Sequence, residues 1–271
     1  MKYVTLASGR EMPMIGLGTW EVTGDTAVAA VRTALKLGYR HIDTAEGYRN
    51  HRDIARGLAA AGIARDDLFI TSKVFRTHLH YDDLLKAAEE ALRDLDIPYL
   101  DLYLVHWPNP EVPMAETFRA LSRLQAEGLV RDIGVSNFSA AQIDEALAAS
   151  ANPISINQVE YHPYLNQEAL RAHCEARGVR LTAYSPLGRG NLLEDPTIVR
   201  IAERIGRTPA QVALRWLVDK GIVAIPRARS AGHLQANLDL FGWELPAEDR
   251  AAIDAIGRHE RYVSPPWARW D

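Results

Sequence analysis

Short apolar runs of β type alternate with amphipathic helical runs along nearly the whole chain. The β-type runs are "MIGLG" (14–18), "RHID" (40–43), "LFITSK" (68–73), "LDLYLVH" (100–106), "RDIGVS" (131–136), "ISINQVE" (154–160), "RLTAYS" (180–185) and "IVAIP" (222–226). Strands covered on both faces read as near-continuous apolar runs, and their alternation with helical segments makes about eight βα units. In "DDLLKAAEEALRDLDI" (82–97), Leu84, Leu85, Ala88, Ala91, Leu92 and Leu95 form one stripe and the charges take the other face, the pattern of a helix that covers a sheet on one side. Helix starts are legible as well. Ser139 with Gln142, and Thr208 with Pro209 and Gln211, carry an N-cap hydroxyl and a reaching amide at N3, the second with proline at N1.

The opening "YVTLASGREMP" (3–13) reads as a hairpin around Ser8-Gly9, placed before the first barrel strand where it plugs the floor. After the last β run, a helical "PAEDRAAIDAI" leads into the tail "GRHERYVSPPWARWD", which has no strand to pair with and is expected to lie across the barrel mouth. No linker or low-complexity segment divides the chain, so 1–271 is read as a single domain. The expectation is an α/β fold, a (β/α)8 TIM barrel with an N-terminal β-hairpin and a short C-terminal tail, its catalytic groups at the C-terminal strand ends. A doubly wound sheet is the rival, but neither "GLGTWE" nor "GRGNLL" supplies the third glycine of a GxGxxG turn.

Composition narrows the function classes. A length of 271 residues can bury a core without disulfides, and a net charge of -4 gives no global field for nucleic acid or an anionic membrane. Cys174 is the only cysteine, which excludes an intramolecular disulfide and a cysteine-based zinc cage. No signal-peptide core and no stretch long and uncharged enough to span a bilayer is present, so a cytoplasmic protein is expected, working as a monomer.

Polar residues stand at the ends of three successive β runs: Asp43, Lys73 and His106, with Tyr48 in the loop after the first. Neighbouring strands lie about 5 Å apart, so the side chains can converge in one patch. Taken singly, Lys73 reads as a surface lysine, His106 as a structural histidine and Tyr48 as packing. Together they suit proton donation. A phenol titrates near 10. An ammonium about 4 Å from it favours the phenolate by up to roughly 4 kcal/mol at an effective dielectric of 20, with desolvation opposing. The expected net shift is smaller than that and downward, the sign that fits an acid.

"GYRHIDTAEGYRN", "ITSKV", "LDLYLVHWP", "GVSNF", "NQVEYHPY" and "AYSPLG", in this order over most of the chain, resemble the motifs of the aldo-keto reductases. The resemblance implies a barrel that binds NADPH, with NADH as the alternative, and reduces a small-molecule aldehyde or ketone. It assigns Tyr48 as general acid, Lys73 as the group that tunes it, Asp43 as partner of Lys73 and His106 as a donor to the carbonyl. It also implies that Ser136, Asn137 and Gln158 clamp the carboxamide, that Tyr184 stacks on the nicotinamide, and that Ser185, Leu187, Gly188 and Gly190 contact pyrophosphate. Arg227 and His233 fall at the 2′-phosphate, Asn237 at the adenine, and Trp20, Phe75 and Trp107 wall the pocket. The tail resembles those of the bacterial diketogluconate and methylglyoxal reductases of the family, with Trp267 or Trp270 folding over the mouth, which favours a small 2-oxoaldehyde or keto-sugar acid.

The chain departs from the family pattern at His51, where an acidic residue is usual, and in "IPRARSAGHLQAN", where Ala228, His233 and Ala236 replace a hydroxyl, an arginine and a glutamate while Arg227 preserves a cation. His78 and His80 lack a third ligand, so no metal is expected. Two other readings of the same residues are a Schiff-base lyase with Lys73 as nucleophile and a cofactor-binding regulatory subunit.

Overall fold

The computed structural model describes residues 1–268. Strands β1 (Tyr3–Thr5) and β2 (Glu11–Pro13) form the expected hairpin, its reversal closed by Gly9 N–H donating to the Leu6 carbonyl at 2.9 Å with Gly9 at φ 85°. Leu6 and Met12 on this hairpin are buried beneath the barrel.

Eight parallel strands follow in sequence order: β3 (Leu17–Gly18), β4 (His41–Asp43), β5 (Phe69–Val74), β6 (Leu100–Val105), β7 (Val130–Ser136), β8 (Ile154–Glu160), β9 (Arg180–Tyr184) and β10 (Val223–Ala224). Each pairs with the next, and the two ends meet through a parallel bridge between Ile15 and Ala224, Gly16 N–H donating to the Ala224 carbonyl at 3.0 Å. The sheet is therefore a closed barrel. β3 and β10 are shorter than the apolar runs that announce them, and glycines on the β3 side let the seam close. A Cβ on Gly18 would come within 2.5 Å of the Ile225 carbonyl oxygen, and one on Gly16 within 2.4 Å of the His41 ring.

Helices α1 (Gly24–Leu37), α2 (His51–Ala61), α3 (Tyr81–Leu95), α4 (Met114–Ala126), α5 (Ala140–Ala149) and α6 (Glu168–Glu175) follow the first six barrel strands. On α3 the buried face comprises Leu84, Ala87, Ala88, Ala91, Leu92 and Leu95, with Leu85 at its margin. Capping boxes at Ser139–Gln142 and Thr208–Gln211 start α5 and the later helix α8 (Pro209–Asp219) as their spacing requires. After β9 a kinked 3-10 segment (Gly188–Glu194) and an additional helix α7 (Pro196–Ile205) precede α8 (Pro209–Asp219). After β10 comes α9 (Ala231–Leu238), then α10 (Ala247–Asp254).

The tail crosses the C-terminal ends of the strands. His259 bridges Leu165, and the N–H groups of Tyr262 and Val263 donate to the two carboxylate oxygens of Glu160, at 2.7 and 2.9 Å. Trp267 then lies against Arg76 in the loop after β5, the guanidinium 5.5 Å from the ring centre. Trp270 lies outside the described residues.

Candidate active site

β4 and β5 deliver Asp43 and Lys73 to the same end of the barrel interior, where both are fully buried. Lys73 Nζ donates to Asp43 Oδ1 at 2.5 Å, to the Thr44 carbonyl at 2.9 Å and to the Tyr48 hydroxyl at 3.4 Å. The second oxygen of Asp43 accepts from Gln158 Nε2 at 2.8 Å, a contact that spans 115 residues of sequence. Burial pushes the Asp43 carboxyl up and the Lys73 ammonium down, while their mutual attraction and hydrogen bond hold the charged forms.

Tyr48 ends a single 3-10 turn (Glu46–Tyr48), and Arg49 follows in the left-handed conformation with φ 54°, so the chain reverses there. The half-buried phenol stands beside two rings, with a third beyond them. Trp20 meets it edge-on with centroids 5.0 Å apart, His106 lies at 5.7 Å, and Phe75 is 6.5 Å beyond His106. Trp20 is exposed at 48 % and Trp107, next to His106 in sequence, is buried. The expected downward shift of the phenol is not what this environment produces. Burial pushes Tyr48 well above the usual phenol range and the Asp43 carboxylate adds to it, because the Lys73 charge is largely answered by Asp43 before it reaches the phenol.

His106 begins where β6 ends. Burial first, and the nearby Lys73 cation second, hold its imidazole well below the usual histidine range, so the ring is neutral. Its Nδ1 is enclosed without a partner among the described residues, which leaves Nε2 as the nitrogen able to meet a ligand.

The ends of β7, β8 and β9 supply a second polar cluster. Asn137, left-handed with φ 64°, donates from Nδ2 to the His106 carbonyl and to Ser136 Oγ, both at 3.0 Å, and accepts from the Tyr184 hydroxyl at 2.7 Å. Ser136 Oγ in turn donates to the Gln158 carbonyl at 2.8 Å. Asn137 thereby ties three strand ends together and fixes the Tyr184 ring. Ser185, Gly188, Arg189 and Gly190 all have positive φ, at 46°, 53°, 55° and 101°. Such a run of left-handed residues curls the chain into a concave turn that gathers N–H groups for an anion. Leu187 is half-buried within it.

On the far side of β10, Arg227 and Arg229 are exposed. Arg227 Nη1 donates to Glu21 Oε2 at 2.5 Å and to the Trp20 carbonyl at 3.3 Å, and Arg229 Nη2 to the Glu21 carbonyl at 2.9 Å. His233 is exposed in the first turn of α9, and Asn237 is buried on that helix beside the Tyr39 hydroxyl. A ring shelf at Tyr184, an anion-type turn at 185–190 and two arginines beyond it fit a phosphate-bearing dinucleotide. His51 donates to or accepts from Ser72 at 3.0 Å under the patch, and His78 and His80 each meet a different carboxylate, Glu46 and Glu116. A depression of about 370 Å³ bordered by Leu37, Leu238 and Phe241 lies at the other end of the barrel and holds none of these groups.

Three positioning residues escape a reading of the sequence. Asn50 accepts from Thr44 Oγ1 at 2.7 Å and donates to the Thr19 and Val22 carbonyls at 3.0 and 2.9 Å, so it joins the loops of Tyr48 and Trp20. Glu46 accepts the Phe75 N–H at 2.8 Å, and Glu160 holds the tail. Their only signal is a polar letter within a motif, with nothing in the spacing to say what it holds.

A closed (β/α)8 barrel with a buried Lys–Asp pair, a phenol and an imidazole at its C-terminal strand ends has the build of a barrel enzyme. The chain belongs to the aldo/keto reductase family, whose profile matches residues 14–258. It is 42 % identical to a glyoxal reductase of Bacillus subtilis, over 97 % of this chain and 95 % of that one. Among solved structures it resembles a putative 2,5-diketo-D-gluconic acid reductase B with TM-score 0.94 and 36 % identity, covering 98 % of this chain and 96 % of that one. A Bombyx mori aldo-keto reductase in complex with NADP matches with TM-score 0.90 and 33 % identity, covering 97 % of this chain and 95 % of that one. The family places the chain among the oxidoreductases. No helix among the described residues is long and apolar enough to cross a membrane.

Proposed function

We propose that the protein is an NADPH-dependent reductase of small aldehydes and ketones, with Tyr48 as the proton donor. The observation that carries this reading is the Lys73 ammonium shared between Asp43, the Thr44 carbonyl and the Tyr48 hydroxyl. The nicotinamide, when bound, supplies hydride to the carbonyl carbon. Tyr48 Oη gives its proton to the carbonyl oxygen, which is more basic as an alkoxide than any phenolate. A phenol held above its usual range keeps that proton at neutral pH, and Lys73, 3.4 Å away, stabilises the charge left behind. His106 Nε2–H orients the carbonyl, and a neutral ring can donate there without itself surrendering a proton to solvent. Gln158, with its amide nitrogen on Asp43, offers Oε1 to the carboxamide, and the Tyr184 ring supports the nicotinamide face.

The lyase reading needs a free Lys73 amine, and a fully buried ammonium with three acceptors is poorly placed to attack a carbonyl. Small substrates are favoured by Trp20 and Phe75 standing close around Tyr48 and His106, and by the names of the Bacillus relative and the diketogluconate-type neighbour. Arg76, stacked on Trp267 at the mouth and bonded to Asn109 but to no carboxylate among the described residues, suits a substrate with an anionic end. The whole chain is taken to act as one domain in the cytoplasm. Rates (kcat/KM) across methylglyoxal, a diketogluconate, benzaldehyde and a ketosteroid are expected to be high for the first two and lowest for the steroid; a clear preference for the steroid overturns the small-pocket reading.

For the cofactor, Arg227 is proposed to grip the 2′-phosphate of NADPH, helped by Arg229, Ser230 or His233. In a fluorescence titration Arg227→Ala is expected to weaken NADPH by about ten- to a hundredfold, the range for a charged hydrogen bond, and to leave NADH nearly unaffected. Equal losses for both would rule out a phosphate-specific contact.

A further inference from the structure

We infer that Glu21 is a cofactor-specificity residue: its carboxylate occupies Arg227 as an internal anion, which the 2′-phosphate of NADPH must displace. This rests on the reading of Arg227 just given. Two arginines beyond β10 converge on one two-residue stretch of the loop after β3. Arg227 holds the Glu21 carboxylate at 2.5 Å and the Trp20 carbonyl at 3.3 Å, and Arg229 holds the Glu21 carbonyl at 2.9 Å. Glu21 adopts the left-handed conformation, φ 56°, which residues other than glycine, asparagine and aspartate seldom take. The Thr19–Val22 turn sets that conformation, Val22 N–H donating to the Thr19 carbonyl at 3.1 Å with Asn50 bonded to the carbonyls of both residues, and two of the three arginine contacts reach Glu21 itself.

A carboxylate and a phosphate monoester compete for the same donors on a guanidinium. The ion pair is exposed on both sides, the Arg227 side chain at 43 % and Glu21 at 60 %, so water and salt weaken it and a dianionic phosphate can replace it. NADH carries no group that needs Arg227 and leaves the pair intact. Glu21 therefore taxes NADPH alone and narrows the preference between the two cofactors. The same stretch carries Trp20, whose ring meets the Tyr48 phenol edge-on.

The test is equilibrium titration of NADPH and NADH by tryptophan quenching in wild type, Glu21→Gln, Arg227→Ala and the double variant. Glu21→Gln is expected to tighten NADPH about two- to fivefold, the worth of an exposed ion pair, with NADH unchanged. The gain should vanish when Arg227 is already alanine. Unchanged or weaker NADPH binding in Glu21→Gln overturns the proposal, the weaker case meaning that the carboxylate closes over bound cofactor. A gain that persists without Arg227 also overturns it, since that is a general charge effect. Equal loss of NADPH and NADH in Arg227→Ala instead removes the underlying reading of Arg227, an outcome distinct from failure of Glu21 alone.

Discussion

Tyr48→Phe is expected to bind NADPH within about twofold of wild type and to lose a factor of 10² to 10⁴ in kcat, the usual contribution of a positioned general acid. The substitution removes one oxygen and leaves the ring contacts with Trp20 and His106 in place, so binding and folding should survive. Lys73 retains Asp43 and the Thr44 carbonyl as partners, so no buried charge is stranded. Stopped-flow or steady-state turnover of methylglyoxal, with cofactor titration alongside, separates the two effects. A variant with near-normal kcat would sink the assignment of Tyr48 as proton donor.

The second large effect is expected at Lys73. Lys73→Met leaves the buried Asp43 carboxyl with only Gln158 to answer it, so it must carry an unpaired charge or take up a proton, and stability should fall by up to about 3 to 5 kcal/mol as well as turnover. Pairing the change with Asp43→Asn removes the stranded carboxyl. The double variant should regain much of the stability in a denaturant titration while kcat remains depressed, because the phenol still lacks its cation. Recovery of turnover together with stability would make Lys73 a structural residue only. The pH profile gives an independent reading. Loss of the ammonium moves the phenol still higher, so any alkaline limb of kcat that reports Tyr48 should shift upward, and an unmoved profile would speak against the pairing.

Much of this site is legible in the sequence because its main members stand at strand ends. Asp43, Lys73 and His106 stand at the ends of successive β-type runs, and in a parallel barrel that alone brings them to one face. The helices with strong stripes and complete capping boxes are legible for a similar reason, since their signals lie within a few residues of one another. What escapes is whatever depends on distant contact. Gln158 reads as a carboxamide ligand, yet its amide nitrogen is committed to Asp43, 115 residues away. Glu21 and Arg227 are separated by 206 residues, and neither letter hints at the other. The direction of the Tyr48 shift escapes too, because it is set by how far Asp43 neutralises Lys73 and how deeply the phenol sits, quantities that spacing does not encode.

The fastening of the tail has an evolutionary consequence. Glu160 grips residues 262 and 263 through their peptide N–H groups, and any residue except proline offers the same donor. These two bonds therefore make no demand on which side chains stand at 262 and 263 or follow them toward Trp267, which lies against Arg76. Selection can rewrite the rim of the pocket letter by letter while the clasp and the catalytic floor stay untouched, which makes the tail an exchangeable cassette through which one barrel can be retuned to a new carbonyl compound.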